Sequence, residues 1–139
     1  MTRLPGWLDR LHAYVEDVRH RPYEAVRHNC ALFAAGGIQA ITGLDPVAEL
    51  GMARPGSELA VARLLRDAGG VEGLAARFFG RAADGPLTAR RGDVVIKPGE
   101  AGNTLGICMG DHALFLTRDR ARPLQARRLD ECAGSWRVG

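Results

Sequence analysis

His28-Asn29-Cys30-Ala31-Leu32-Phe33-Ala34-Ala35 places a cysteine at the start of the most apolar segment of the chain, directly behind a polar pair. Read as a helix, the segment takes Asn29 as its N-cap and puts Cys30 in the first turn. Unpaired backbone N–H groups and the positive end of the helix dipole favour a thiolate at such a position, and the thiolate is the nucleophilic form. The competing reading is a small buried side chain that fills a helix–sheet junction, because free cysteine is among the most buried residue types.

Working outward, residues 30–42 form the central helix. Cys30, Leu32, Phe33, Ala34, Ala35, Ile38 and Ile41 leave it little polar face, so it is expected to be buried on most sides. Gly36-Gly37 costs about 1 kcal/mol per glycine relative to alanine, which implies close approach of another element there. Gly43 suits the C-cap. Upstream, Trp7, Leu8, Leu11, Tyr14, Val15 and Val18 recur at helical spacing and predict an amphipathic helix over 7–19, broken by Arg21-Pro22-Tyr23. Downstream come a short turn at Val47–Leu50, a helix capped by Ser57 and running through Arg66, and a second short helix over Val71–Phe79.

After residue 85 the pattern changes. Val94-Val95-Ile96 reads as a short strand stopped by Pro98-Gly99, Thr104–Met109 as a second, and His112–Leu116 as a third after the Gly110-Asp111 turn. Leu124–Arg127 suggests a fourth strand, Leu129–Cys132 one helical turn, and Trp136–Val138 a last short strand. Helices first and a small antiparallel sheet second is an α+β layout. It is organised as a single domain over 1–139, with an N-terminal helix in 1–22, a helical half in 23–80 that carries Cys30, and a sheet half in 85–139.

Composition excludes several classes. The chain has 139 residues, 46% hydrophobic and 25% charged, and a formal net charge of +3, so an ordinary globular core is expected and disorder is not. Three widely spaced cysteines without a C-x-x-C pair suggest neither a zinc site nor a disulfide framework, and no cofactor or metal is expected. No signal peptide or membrane span is visible. Arg118, Arg120, Arg122, Arg127 and Arg128 form a basic stretch without interleaved aromatic residues, which reads as a solvated or partner-facing surface rather than a nucleic-acid site. Arg91-Gly92-Asp93 reads as a tight turn that opens a strand.

Three segments carry a family resemblance. Asn29-Cys30-Ala31-Leu32-Phe33 resembles the D-C-S-G-F segment of NlpC/P60-type hydrolases. Arg91-Gly92-Asp93-Val94-Val95 resembles their R-G-D-L-V segment, and Leu105-Gly106-Ile107-Cys108-Met109-Gly110 resembles their H-V-G-I-Y-I-G strand. With Thr42-Gly43-Leu44-Asp45-Pro46 added, the pattern is similar to a small NlpC/P60-like family of tailed phages, prophages and gene-transfer particles. The resemblance implies a papain-like fold in which the Cys30 helix packs on the sheet. It also implies Cys30 as nucleophile, a peptidoglycan amide as substrate, and synthesis in the bacterial cytoplasm for use in a virion tail.

The family histidine aligns with Thr104, and threonine cannot serve as a general base near neutral pH. Two histidines stand as substitutes. His28 is near Cys30 in sequence. His112 follows the turn after the histidine-equivalent strand; an antiparallel return brings it toward the helix, and a turn at the far strand end carries it away. Two functions from different classes follow: a cysteine hydrolase, or an inactive structural or adaptor component of a tail tip or baseplate.

Overall fold

The computed structural model describes residues 1–139. Five helices precede five strands: α1 (Trp7–Val18), α2 (Cys30–Thr42), α3 (Pro46–Glu49), α4 (Glu58–Ala68), α5 (Gly70–Phe79), β1 (Val94–Gly99), β2 (Gly102–Cys108), β3 (His112–Leu116), β4 (Leu124–Arg128) and β5 (Gly134–Trp136). All strand pairs are antiparallel, in the spatial order β4-β3-β2-β1-β5. The α+β reading therefore holds. The last strand begins two residues earlier than the apolar pattern suggested, because Gly134 and Ser135 pair with Ile96 and Val95. β1 also continues through Pro98, which pairs with Asn103 in a hairpin turning at Glu100-Ala101.

The sheet has two buried faces, set by the period-2 alternation of its strands. Val94, Ile96, Leu105, Ile107, Leu114, Leu116 and Trp136 meet the helices in the main core, with Phe33, Ile38 and Ile41 of α2 opposite. Val95, Cys108, Ala113 and Phe115 point the other way and join Cys132 in a smaller core. Cys108 and Cys132 are thus packing residues of this second core, and burial pushes both thiols up.

The paired glycines of α2 explain how that helix is buried on two sides. A Cβ at Gly36 would collide with the Tyr14 ring of α1, and one at Gly37 would lie 2.5 Å from Cδ1 of Ile107 on β2. Tyr14 is fixed there by donating its hydroxyl to the Phe33 carbonyl at 2.7 Å. Burial raises the Tyr14 hydroxyl well above the usual phenol range, so it remains a donor. α2 is held between α1 and the sheet at a spacing only glycine allows.

A second anchor ties the ends of the chain to the sheet. Asp93, 2% exposed, opens β1. Its Oδ1 accepts from the Val138 N–H at 3.0 Å and from Arg3 Nη2 at 3.1 Å, and its Oδ2 accepts from the Arg90 N–H at 2.8 Å. Arg3 also donates Nε to the Val138 carbonyl at 2.8 Å and stacks on Trp7 at 4.1 Å. The Arg91-Gly92-Asp93 turn is therefore a structural knot, and Gly92 supplies its positive φ of 94°.

Two substitutions test this architecture by thermal and denaturant unfolding. Asp93→Ala removes the acceptor of the buried Val138 N–H, the part-buried Arg90 N–H and the Arg3 guanidinium, and is expected to cost about 3 kcal/mol. Gly36→Val forces Tyr14 out of its site and is expected to cost about 2 kcal/mol, whereas Gly56→Ala, in open space, should be near neutral.

Candidate functional site

Asn29 has extended backbone, φ −120° and ψ 177°, and its Oδ1 accepts from the Leu32 N–H at 3.0 Å, as an N-cap does. Its Nδ2 donates to the Ala25 carbonyl at 2.9 Å. One side chain thus starts α2 and closes the turn before it. That turn is a two-bond bridge between Glu24 and His28, at 2.9 and 2.8 Å, and the Glu24 carboxylate accepts from the N–H groups of Val26 and Arg27. Cys30 follows as the first residue of the helix, partly exposed and free.

α2 lies along β2 in the same sense. Its middle touches Ile107, and near its C-terminal end Ile41 approaches Gly92 at the start of β1. Its N-terminal turn consequently reaches the end of the sheet where β2 begins. A groove of about 1010 Å³ opens there. Cys30, Ala34 and Ile38 of α2, Leu65 of α4, Phe78 of α5 and Leu105 of β2 make much of its apolar wall. The groove wraps around the strand ends, since Phe115, Gln125 and Arg127 of the opposite sheet face line it as well. Arg118 spans its rim, stacked 4.8 Å over the Tyr23 ring. Of the basic stretch, Arg118 is so engaged, Arg127 donates to Gln125 and Arg128 pairs with Asp130 at 2.9 Å.

The four residues singled out from the sequence fall in three places. Cys30 and Thr104 both line the groove. Thr104, however, pairs with Lys97 two residues from the Val95–Gly106 pair, and so lies on the sheet face of Val95 and Cys108, away from α2. The β2 side chain that shares the Leu105 face at this end is Asn103, whose Nδ2 donates to Glu72 Oε2 of α5 at 3.3 Å. The motif alignment missed Asn103 because it matched letters and not strand parity; alternation from Leu105 and Ile107 would have identified it.

His28 lies elsewhere. It is 4% exposed and lines a separate depression with Tyr14, Arg21 and Gln39, not the Cys30 groove. Nearness in sequence to Cys30 is defeated by Asn29, whose extended backbone intervenes between the bridge and the helix. His28 Nε2 is buried without a hydrogen-bond partner, and burial, reinforced by the positive charge of Arg21, holds the imidazole below its ordinary value. His112 sits at the other end of the sheet. It pairs with Arg128, holds Asp111 Oδ1 at 2.6 Å, and its carbonyl accepts from Met109. From Thr104 to Met109 is five strand residues, roughly 17 Å at the usual rise. Of the two geometries open from sequence, the turn at the far strand end is the one adopted. No histidine lines the groove.

No cluster of three or more His, Cys, Asp or Glu residues is arranged to hold a metal ion. No helix is long and apolar enough to cross a membrane. Residues 2–138 match the model of a family described as a domain of unknown function (DUF6950), so the chain belongs to that family. No curated protein matches it.

The buried, neutral His28 gives a pH prediction. Its folded-state pKa is lowered from 6.5, so the unfolded chain takes up the proton first as pH falls. The stability His28 contributes is therefore complete above about 6.5 and is lost progressively below it. The unfolding midpoint is expected to drop between pH 7 and pH 5, and by less in His28→Gln, measured by thermal melts across that range.

Proposed function

We propose that this chain is an NlpC/P60-like domain of papain-like layout that serves as a non-catalytic adaptor in a phage-type tail tip or baseplate. The observation that carries this reading is the separation of Cys30 from every histidine. Acyl transfer by a thiol needs a positioned proton acceptor within hydrogen-bond reach or one water away. His28 lines a different depression, His112 lies at the opposite end of the sheet, and the family histidine position is a threonine on the far face. The papain-like part of the proposal is supported by the cysteine at the start of a buried helix, by the packing of that helix on an antiparallel sheet, and by the three motif resemblances. On this reading the protein is made in the bacterial cytoplasm and acts within the particle.

A second reading is favoured by one feature. Asn29 caps α2 and leaves Cys30 partly exposed on a large groove, at the helix position that suits a nucleophile. A hydrolase of peptidoglycan amides would attack from Cys30 Sγ, with the Cys30 backbone N–H helping to bind the oxyanion. It ranks second because the proton has no imidazole to go to.

Cys30→Ala separates the two. The adaptor reading expects unchanged particle assembly and infectivity, and expects wild-type protein incubated with purified peptidoglycan to release no fragments and to gain no acyl mass on Cys30. Intact particles that lose infectivity with Cys30→Ala, or fragment release that depends on Cys30, would overturn it.

A further inference from the structure

Around α2 from the Cys30 groove lies a depression of about 220 Å³, walled by Tyr14, Arg21, Arg27, His28, Gln39 and Arg54, with Asp45 at its side. Its charge is unbalanced. Asp45 is the one acidic residue in the wall, and it already pairs with Arg54 at 3.8 Å. Arg21 and Arg27 take part in no ion pair of the molecule. His28, more than nine-tenths buried, belongs to the same wall, and its Nε2 is closed off from solvent without a partner. Two guanidinium groups without a carboxylate partner, beside a buried imidazole that Arg21 helps to keep neutral, leave the depression with positive charge that an anion would balance.

We infer that this depression is a binding site for a small phosphate-type oxyanion, free or carried as a monoester. The guanidinium fork presents paired donors that match tetrahedral oxyanions, and hydrogen bonds between charged partners are the strong ones. Gln39 adds an amide that can donate to the ligand, and the volume suits a small anion rather than a polymer. The site draws on the Glu24–His28 bridge, the loop after α1 and the outer face of α2. His28, the one residue also weighed as a base for Cys30, does not line the Cys30 groove, so the site stands whether or not Cys30 is active.

An anion seated there would favour protonated His28, so the imidazole reports on occupancy. The test is NMR titration of histidine-labelled full-length protein with inorganic phosphate, at ionic strength held constant with chloride. The expected result is a saturable change in the His28 signals and an upward move in its titration midpoint. Affinity should fall about tenfold or more in Arg21→Ala and in Arg27→Ala, with melting temperatures of both exposed-site variants near wild type. Cys30→Ala should bind phosphate like the wild type. The inference is overturned if phosphate produces no saturable change, if chloride alone reproduces it, or if neither arginine variant weakens it. A fourth outcome also overturns it: binding only to phosphatidic-acid vesicles, with none to free phosphate, would make the patch a membrane contact and not a small-ligand pocket.

Discussion

A single buried carboxylate sets the frame of this molecule. Asp93 leaves water entirely, which is costly for a charge, and recovers the cost through three donors that come from three distant parts of the chain. Arg3 belongs to the N-terminal segment, Arg90 to the approach to β1, and Val138 to the C-terminal segment. β1 is the strand between β2 and β5, so fixing the residue just before it fixes where the strand enters the sheet. The Trp7 ring that carries Arg3 packs against the main core, which couples the knot to α1. α2 then lies between α1 and the sheet, and the position of Cys30 follows from that of α2.

Much of this was legible in the sequence because it rests on local rules. Asn29, Ser57 and Gly43 mark helix ends by side-chain or backbone chemistry that depends on a few neighbours, and each occupies the cap expected of it. Gly36-Gly37 was readable as a close crossing, although the identity of the crossing groups, Tyr14 and Ile107, depends on tertiary packing. Asp93 was read only as part of a tight turn. Nothing local distinguishes a turn aspartate that faces water from one that collects donors from residues 3 and 138.

The candidate site shows the same division. Cys30 at the head of a buried helix was visible from periodicity and capping. The partners of Cys30 were not, because they depend on strand parity and on which end of a hairpin faces the helix. Thr104 and Asn103 are adjacent in the chain and opposite in the sheet, and a motif match cannot tell them apart. His28 illustrates the converse. Two residues from Cys30 along the chain, it is turned into a different depression by the bridge and by the extended backbone of Asn29.

The contact between Arg3 and Val138 also has a mechanical side. The two ends of the chain meet at one point, and both are bonded there to the side chain that opens β1. Tension applied between the ends would load that knot before it reached any helix or strand ladder. Three hydrogen bonds, one of them also an ion pair, would have to give way nearly together beside Trp7 and the adjoining core. The fold is therefore closed by a clasp at its termini, and resistance to pulling would be set by the clasp more than by the sheet behind it.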